Sequence, residues 1–266
     1  MHEPLGTARD DEKIVLSIVL PCFREHANLE LLLPSIHEEF RDVSHEVVVV
    51  DDGSADGTVE LVGKFSTLYG NVRLIERDRR LGIGSALREG YAAARGEFIL
   101  SSDADLSFSV NDMSRLLREA QQGFDLVLGY KLFYRPMAAS SRATEAFARL
   151  SFITSEFGNL VVAATTGVFG IRNFNTNFRI LRRDLWQRVE TREDRNFFLL
   201  ETIMAARDAE AQISEIPVQF LNRRFGDSKM NFMMEAPRYF YQLLRLVFRR
   251  SASRRRAESD TLRRIT

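Results

Sequence analysis

Two periodicities alternate along the first half of the chain. Short β-branched or apolar runs at Ile14 to Leu20, Val47 to Val50, Val72 to Ile75, Phe98 to Leu100 and Leu126 to Leu128 have the composition of buried parallel strands. Between them lie helical patterns of apolar residues: Leu29, Leu32, Leu33 and Ile36; Val59, Leu61, Val62 and Phe65; Ala86, Ala92 and Ala93; Met113, Leu116 and Leu117. A repeated strand–helix order of this kind predicts an α/β fold, a mostly parallel twisted sheet flanked by helices. Ligands of such sheets bind beyond the carboxyl ends of the strands, so chemistry is sought there. The second half is less regular. Ala143 to Ala164 reads as a helix with a broad apolar face, Phe197 to Ala206 as another, and Ile213 to Phe220 as a strand.

Composition changes this picture little. The 266 residues are 45% hydrophobic and 28% charged, which suits one large domain over 1–236. Residues 237–266 read as a basic amphipathic C-terminal helix with a frayed tail, facing an acceptor or a membrane. The 37 basic and 37 acidic residues balance, so bulk charge points to no nucleic-acid partner. Locally the balance fails: Arg238, Arg245, Arg249, Arg250, Arg254, Arg255 and Arg256 occur with no acid among them. Cys22 is the single cysteine, so no disulfide forms within the chain and a reducing compartment is expected. The acidic first residues do not read as a signal peptide, and no apolar run is long enough to span a membrane.

Four constellations fall at strand ends. Pro21-Cys22-Phe23-Arg24-Glu25 follows the first strand: proline would stop the ladder, an aromatic could stack on a base, and Glu25 could accept from base or ribose. By itself this reads better as a helix-initiating turn with an acid near the positive helix end. Asp51-Asp52-Gly53-Ser54-Ala55-Asp56-Gly57-Thr58 follows the second, with two adjacent carboxylates and a helix-capping Asp56 or Thr58. Asp103-Ala104-Asp105 follows the fourth, where two hard oxygen donors suit Mg²⁺ or Mn²⁺ and the phosphates such an ion carries. Arg79-Arg80-Leu81-Gly82-Ile83-Gly84-Ser85-Ala86 enters a helix after the third strand. It lacks the last glycine of a dinucleotide fingerprint, so it reads as a tight loop supporting a nucleotide site.

In this order the motifs resemble those of family 2 glycosyltransferases. Glu215-Ile216-Pro217-Val218, Arg223 and Gly226-Asp227-Ser228-Lys229-Met230 narrow the resemblance to dolichol- or polyprenol-phosphate mannose synthases. That resemblance implies a GT-A fold and an inverting hexosyl transfer to a lipid phosphate. The donor it implies is GDP-mannose, or UDP-glucose as the runner-up, with Mg²⁺ or Mn²⁺. By position, Pro21, Phe23, Glu25, Val50, Asp52, Asp103, Ala104 and Lys131 would bind the nucleotide sugar, and Asp103 with Asp105 the metal. Asp105, Arg223 and Lys229 would be catalytic, and Arg179 and Ser228 would meet the acceptor phosphate. Three departures stand out: Phe23-Arg24-Glu25 for the common Tyr-Asn-Glu, Lys131 for an arginine, and Asn173 for an aspartate.

A phosphate monoester acceptor is already anionic near neutral pH, so basic residues rather than a histidine base should mark its side. The segment Met233 to Arg256 sets Phe240, Leu243, Leu244 and Val247 on one helical face. It is expected to rest peripherally on the cytoplasmic face of a membrane, with a membrane-anchoring partner subunit as a further expectation. The rival classes are a sugar nucleotidyltransferase, which lacks its N-terminal glycine-rich motif here, and a non-catalytic nucleotide-sugar-binding subunit.

Overall fold

The computed structural model describes residues 13–131, 158–219, 238–239 and 241–246. Compactness divides the chain into two units, Met1–Tyr134 with Asn175–Gly226, and Arg135–Phe174 with Asp227–Thr266. The expected boundary at 236 lies outside the described residues.

The first unit is built on β1 (Leu16–Cys22), β2 (His45–Asp51), β3 (Val72–Glu76), β4 (Phe98–Ser101), β5 (Leu126–Lys131), β6 (Arg179–Arg182) and β7 (Ile213–Val218). They form one seven-stranded sheet in the order β3-β2-β1-β4-β6-β5-β7. All neighbours are parallel except β6, which runs antiparallel to both β4 and β5. The helices are α1 (His26–Glu39), α2 (Thr58–Tyr69), α3 (Ile83–Ala93), α4 (Val110–Ala120), α5 (Arg183–Arg188) and α6 (Phe197–Asp208).

The sheet is apolar on both faces, which is why its strands read as continuous runs. On one face, Leu29, Leu32, Leu33 and Ile36 of α1, Leu61 and Val62 of α2, and Met113 and Leu116 of α4 join Leu16, Ile18, Leu20, Val47 and Val49 in a common core. On the other, α3 approaches so closely that a Cβ on Gly90 would lie 2.4 Å from Val19. There Tyr91 meets Trp186 edge-on, with ring centroids 5.1 Å apart.

Two expectations change. Pro21 does not stop the ladder; it lies within β1, opposite Val50. Past Val19 that strand is no longer paired with β4, so the missing N–H falls on an unpaired edge. Also, β6 and α5 were not expected from the sequence. Of the Ala143–Ala164 helix, only 158–164 lies among the described residues, and it is helical to 166. In the second unit, 238–239 and 241–246 are helical too. There Leu243 is buried, while Tyr241 is 66% and Leu244 39% exposed, so the expected apolar face is divided.

At the opposite edge of the sheet from the strand-end loops, Glu46 is buried and acts as a junction. Its carboxylate accepts from Ser17 Oγ at 2.7 Å, from the Arg95 amide at 2.7 Å, and from the Arg73 and Arg95 side chains. Burial alone would raise its pKa; the Ser17 and Arg95 hydrogen bonds and the Arg73 charge reverse that and hold it below the usual value. A carboxylate with a depressed folded pKa contributes stability above its unfolded pKa of about 4.3, and loses it as pH falls through the folded value. Glu46→Gln is therefore expected to lower stability at neutral pH by about 2 kcal/mol. Thermal unfolding measured from neutral to acid pH should show the gap between wild type and variant closing on acidification. A gap independent of pH would exclude the charged interaction.

Candidate functional site

The carboxyl ends of β1 to β4 lie along one edge of the sheet, and the loops leaving them build the site. Asp51 and Asp52 end β2 and diverge in role. Asp51 has no exposed surface, and its carboxylate accepts from the Ser54 amide at 2.8 Å and from the Ser54 hydroxyl, closing the turn through Gly53. The Cys22 thiol donates to it at 3.4 Å. Burial and the Asp51 carboxylate push that thiol far above the ordinary range, which leaves Cys22 an inert core residue.

Asp52 spends its carboxylate on the loop after β3. One oxygen accepts from the Leu81 amide and the other from the Gly82 amide, both at 3.1 Å. Arg77 places Nη1 2.9 Å from Asp52, and both side chains are nearly fully buried. Arg77 also donates to Ser85 Oγ at 2.6 Å, while its Nε and Nη1 make no aligned hydrogen bond among the described residues. The sequence reasoning missed Arg77, because it stands within Glu76-Arg77-Asp78-Arg79-Arg80, which reads as a solvated charge run.

The glycines of the same loop answer to packing. A Cβ on Gly82 would lie 2.6 Å from the Asp194 carbonyl, and one on Gly84 2.7 Å from the carbonyls of Glu193 and Arg195. Ser85 N donates to Asp194 O at 3.0 Å. The amides of Leu81 and Gly82 are thus committed to Asp52, and that of Ser85 to Asp194.

In the loop after β1, Phe23 and Glu25 are half-buried. Glu25 accepts from the Asn28 side chain at 2.6 Å, and its carbonyl takes the first amides of α1. Asp56 accepts from Thr58 N and Oγ1 and from the His26 amide, joining the starts of α2 and α1. Val50 is a correction: it has no exposed surface, and its Cγ2 faces Gly90 of α3, so its side chain walls the sheet instead of lining a pocket.

After β4 the chain bends at 104–106, and Leu106 takes a positive φ of 62°. The two aspartates therefore do not project from extended backbone, as their spacing alone suggested. Asp103 is half-buried and accepts from Asn177 Nδ2 at 3.1 Å; Asp105 is buried and accepts from the Ser107 amide at 3.0 Å. Ala104 between them is buried. Ser107 Oγ and Asn177 Oδ1 are buried oxygens without a hydrogen-bond partner among the described residues. Two carboxylates beside two orphaned neutral oxygens form a hard donor set that fits Mg²⁺ or Mn²⁺. Asn177 was also missed; it enters on the turn into β6, the strand the sequence hid.

Lys131 ends β5, is exposed, and sets Nζ 5.9 Å from the Phe108 ring centroid. Arg179 is a second correction. It has no accessible surface and donates to the carbonyls of Thr176 and Leu199, so it holds β6 in the sheet and cannot meet an acceptor phosphate as folded. Arg223, Ser228 and Lys229 lie outside the described residues.

Comparison with known proteins follows this geometry. A model described as glycosyl transferase family 2 matches residues 17–188. The dolichyl-phosphate beta-glucosyltransferase ALG5A of Trichomonas vaginalis is 27% identical over 230 residues, 82% of this chain and 69% of that one. The undecaprenyl-phosphate 4-deoxy-4-formamido-L-arabinose transferase of Salmonella choleraesuis is 29% identical over 223 residues, 82% of this chain. The chain spans 63% of that relative's length. In structure, glucosyl-3-phosphoglycerate synthase from Mycobacterium tuberculosis, crystallised with Mn²⁺, UDP and glucosyl-3-phosphoglycerate, superposes with a TM-score of 0.64 at 19% identity. The match covers 86% of this chain and 77% of that one, and it shows that the fold is GT-A-like.

If Asp52 and Arg77 form one buried unit, Asp52→Ala leaves an uncompensated guanidinium and should cost about 3–5 kcal/mol in urea unfolding. The double variant Asp52→Leu/Arg77→Leu should cost less than the sum of its single substitutions. Strict additivity would show that the two side chains are not coupled.

Proposed function

The chain belongs to glycosyl transferase family 2, and from that premise we propose that it passes a sugar from a nucleoside diphosphate to a polyprenyl or dolichyl phosphate, with inversion. The observation that carries this reading is the Asp103–Asp105 bend, with Asn177 and Ser107 completing its oxygen set at the edge where parallel sheets bind ligands. Asp103 and Asp105 would hold Mg²⁺ or Mn²⁺, which when bound offsets the charge gathering on the leaving diphosphate. Pro21, Phe23, Glu25 and the Asp52–Arg77 pair border the nucleoside end.

The sugars in the two relatives' names are glucose and 4-deoxy-4-formamido-L-arabinose. They favour UDP-glucose, or a related pentose donor, over the GDP-mannose that the motifs first suggested. A lipid phosphate supplies its own anionic nucleophile, so no protein base is required. One in-line displacement then inverts the anomeric centre. Arg223 and Lys229 are assigned to screening the two anionic reactants, with Ser228 beside them. Among the described residues no helix is long and apolar enough to cross a membrane. We assign contact with the lipid to the arginine-rich segment 233–256 on the cytoplasmic face, with or without an anchoring subunit.

Two measurements test this reading. Asp105→Ala should stay folded yet lower sugar transfer to undecaprenyl phosphate at least about 100-fold. Transfer from UDP-glucose should exceed that from GDP-mannose in the wild type; full turnover of the variant, or no release of nucleoside diphosphate by the wild type from any donor, would overturn the assignment. Replacing Arg249, Arg250, Arg254, Arg255 and Arg256 by glutamine in the full chain should abolish low-salt co-sedimentation with anionic liposomes. Each basic residue near such a surface contributes about 1 kcal/mol. Equal pelleting of both proteins would remove the segment from that role.

A further inference from the structure

Phe23 is not an uncovered aromatic. The guanidinium carbon of Arg24 lies over its ring at 5.1 Å from the centroid, and that of Arg80 at 4.9 Å. The two arginines come from different loops, Arg24 from the end of β1 and Arg80 from the segment after β3, and both are exposed. Neither position is incidental. Arg24 has φ of 57°, a left-handed backbone that side chains other than glycine rarely adopt, and it is held there by its amide donating to Ser54 Oγ at 2.7 Å. Arg80 directly precedes Leu81, whose amide is fixed on Asp52. The turn that Asp51 closes and the loop that Asp52 holds therefore bring two cations onto one ring.

We propose that Arg24 and Arg80, stacked with Phe23, form the platform on which the donor's nucleobase lies, so that guanidinium planes as well as the phenyl ring contact the base. This deepens the transferase reading and rests on it. The direction of approach favours a base over a phosphate as the partner. Arg80 springs from the loop after β3, at the end of the order β3-β2-β1-β4 away from β4, and its guanidinium reaches only as far as Phe23 beyond β1. Arg80 thus approaches from the far side of the site from Asp103 and Asp105, where the diphosphate would sit. Planar guanidinium groups stack on aromatic rings and bases alike, and weak hydration lets arginine do so at an open pocket mouth. The departure from Tyr-Asn-Glu to Phe23-Arg24-Glu25 then exchanges a phenol hydroxyl for a larger stacking surface.

The test is binding of UDP, UMP and uridine to the full chain by calorimetry, with Mn²⁺ present and at two salt concentrations. Arg80→Ala should weaken UDP and UMP roughly tenfold, and uridine by a similar factor, with little dependence on salt. Arg24→Gly should raise the melting temperature by relieving the left-handed backbone while weakening the same ligands. Loss confined to UDP and growing at low salt would make the arginines phosphate ligands and overturn the platform. Unchanged affinity in Arg80→Ala, with wild type binding UDP, would overturn it as well. Failure of the wild type to bind any nucleoside diphosphate would instead reject the transferase reading on which the platform rests.

Discussion

One carboxylate, that of Asp52, organises the loops that leave β1, β2 and β3. Its backbone amide is bonded to Cys22 at the end of β1, its two oxygens take the Leu81 and Gly82 amides, and Arg77 is paired against it in a nearly dry environment. Three strand-end loops are thereby referred to a single charged group. Burying that charge is unfavourable unless it is paired and hydrogen-bonded, and the two amides and the adjacent guanidinium supply both. The same demand sends the chain after β3 back across the sheet edge, which is what brings Arg80 over Phe23. Pocket shape on this side follows from satisfying one ion.

The bend after β4, where we propose that the diphosphate lies, is held in part by neutral donors. Asp103 accepts from the Asn177 side chain and Asp105 from the Ser107 amide. Weak neutral partners keep carboxylates oriented without neutralising them, as a site meant for a cation requires.

Much of this was legible in the residues. The parallel strands and their ends were marked by β-branched runs, because a strand covered on both faces cannot hide polar residues, and the acidic motifs stood where those runs stop. What stayed hidden has physical causes. The strand Arg179–Arg182 has only Ile180 and Leu181 as apolar residues, and its buried Arg179 donates to the carbonyls of Thr176 and Leu199. Asn177 was hidden with it. Arg77 was masked by its charged neighbours, since burial of one arginine in such a run is decided by a partner twenty-five residues away in sequence, at Asp52. Val50 and Arg179 were assigned to a ligand by motif position, whereas packing enclosed both.

The antiparallel strand in the middle of the sheet also bears on how the protein is made. Phe98 pairs with Arg182 and Ser101 with Arg179, so β4 waits for about eighty further residues before its second edge is covered. During synthesis β1 to β4 can assemble as soon as they emerge, leaving an open strand edge and an Asp103 that has not yet met Asn177. Insertion of β6 closes the ladder on β4 and brings Asn177 to Asp103, so a nascent or truncated chain that has a folded first half still lacks that contact.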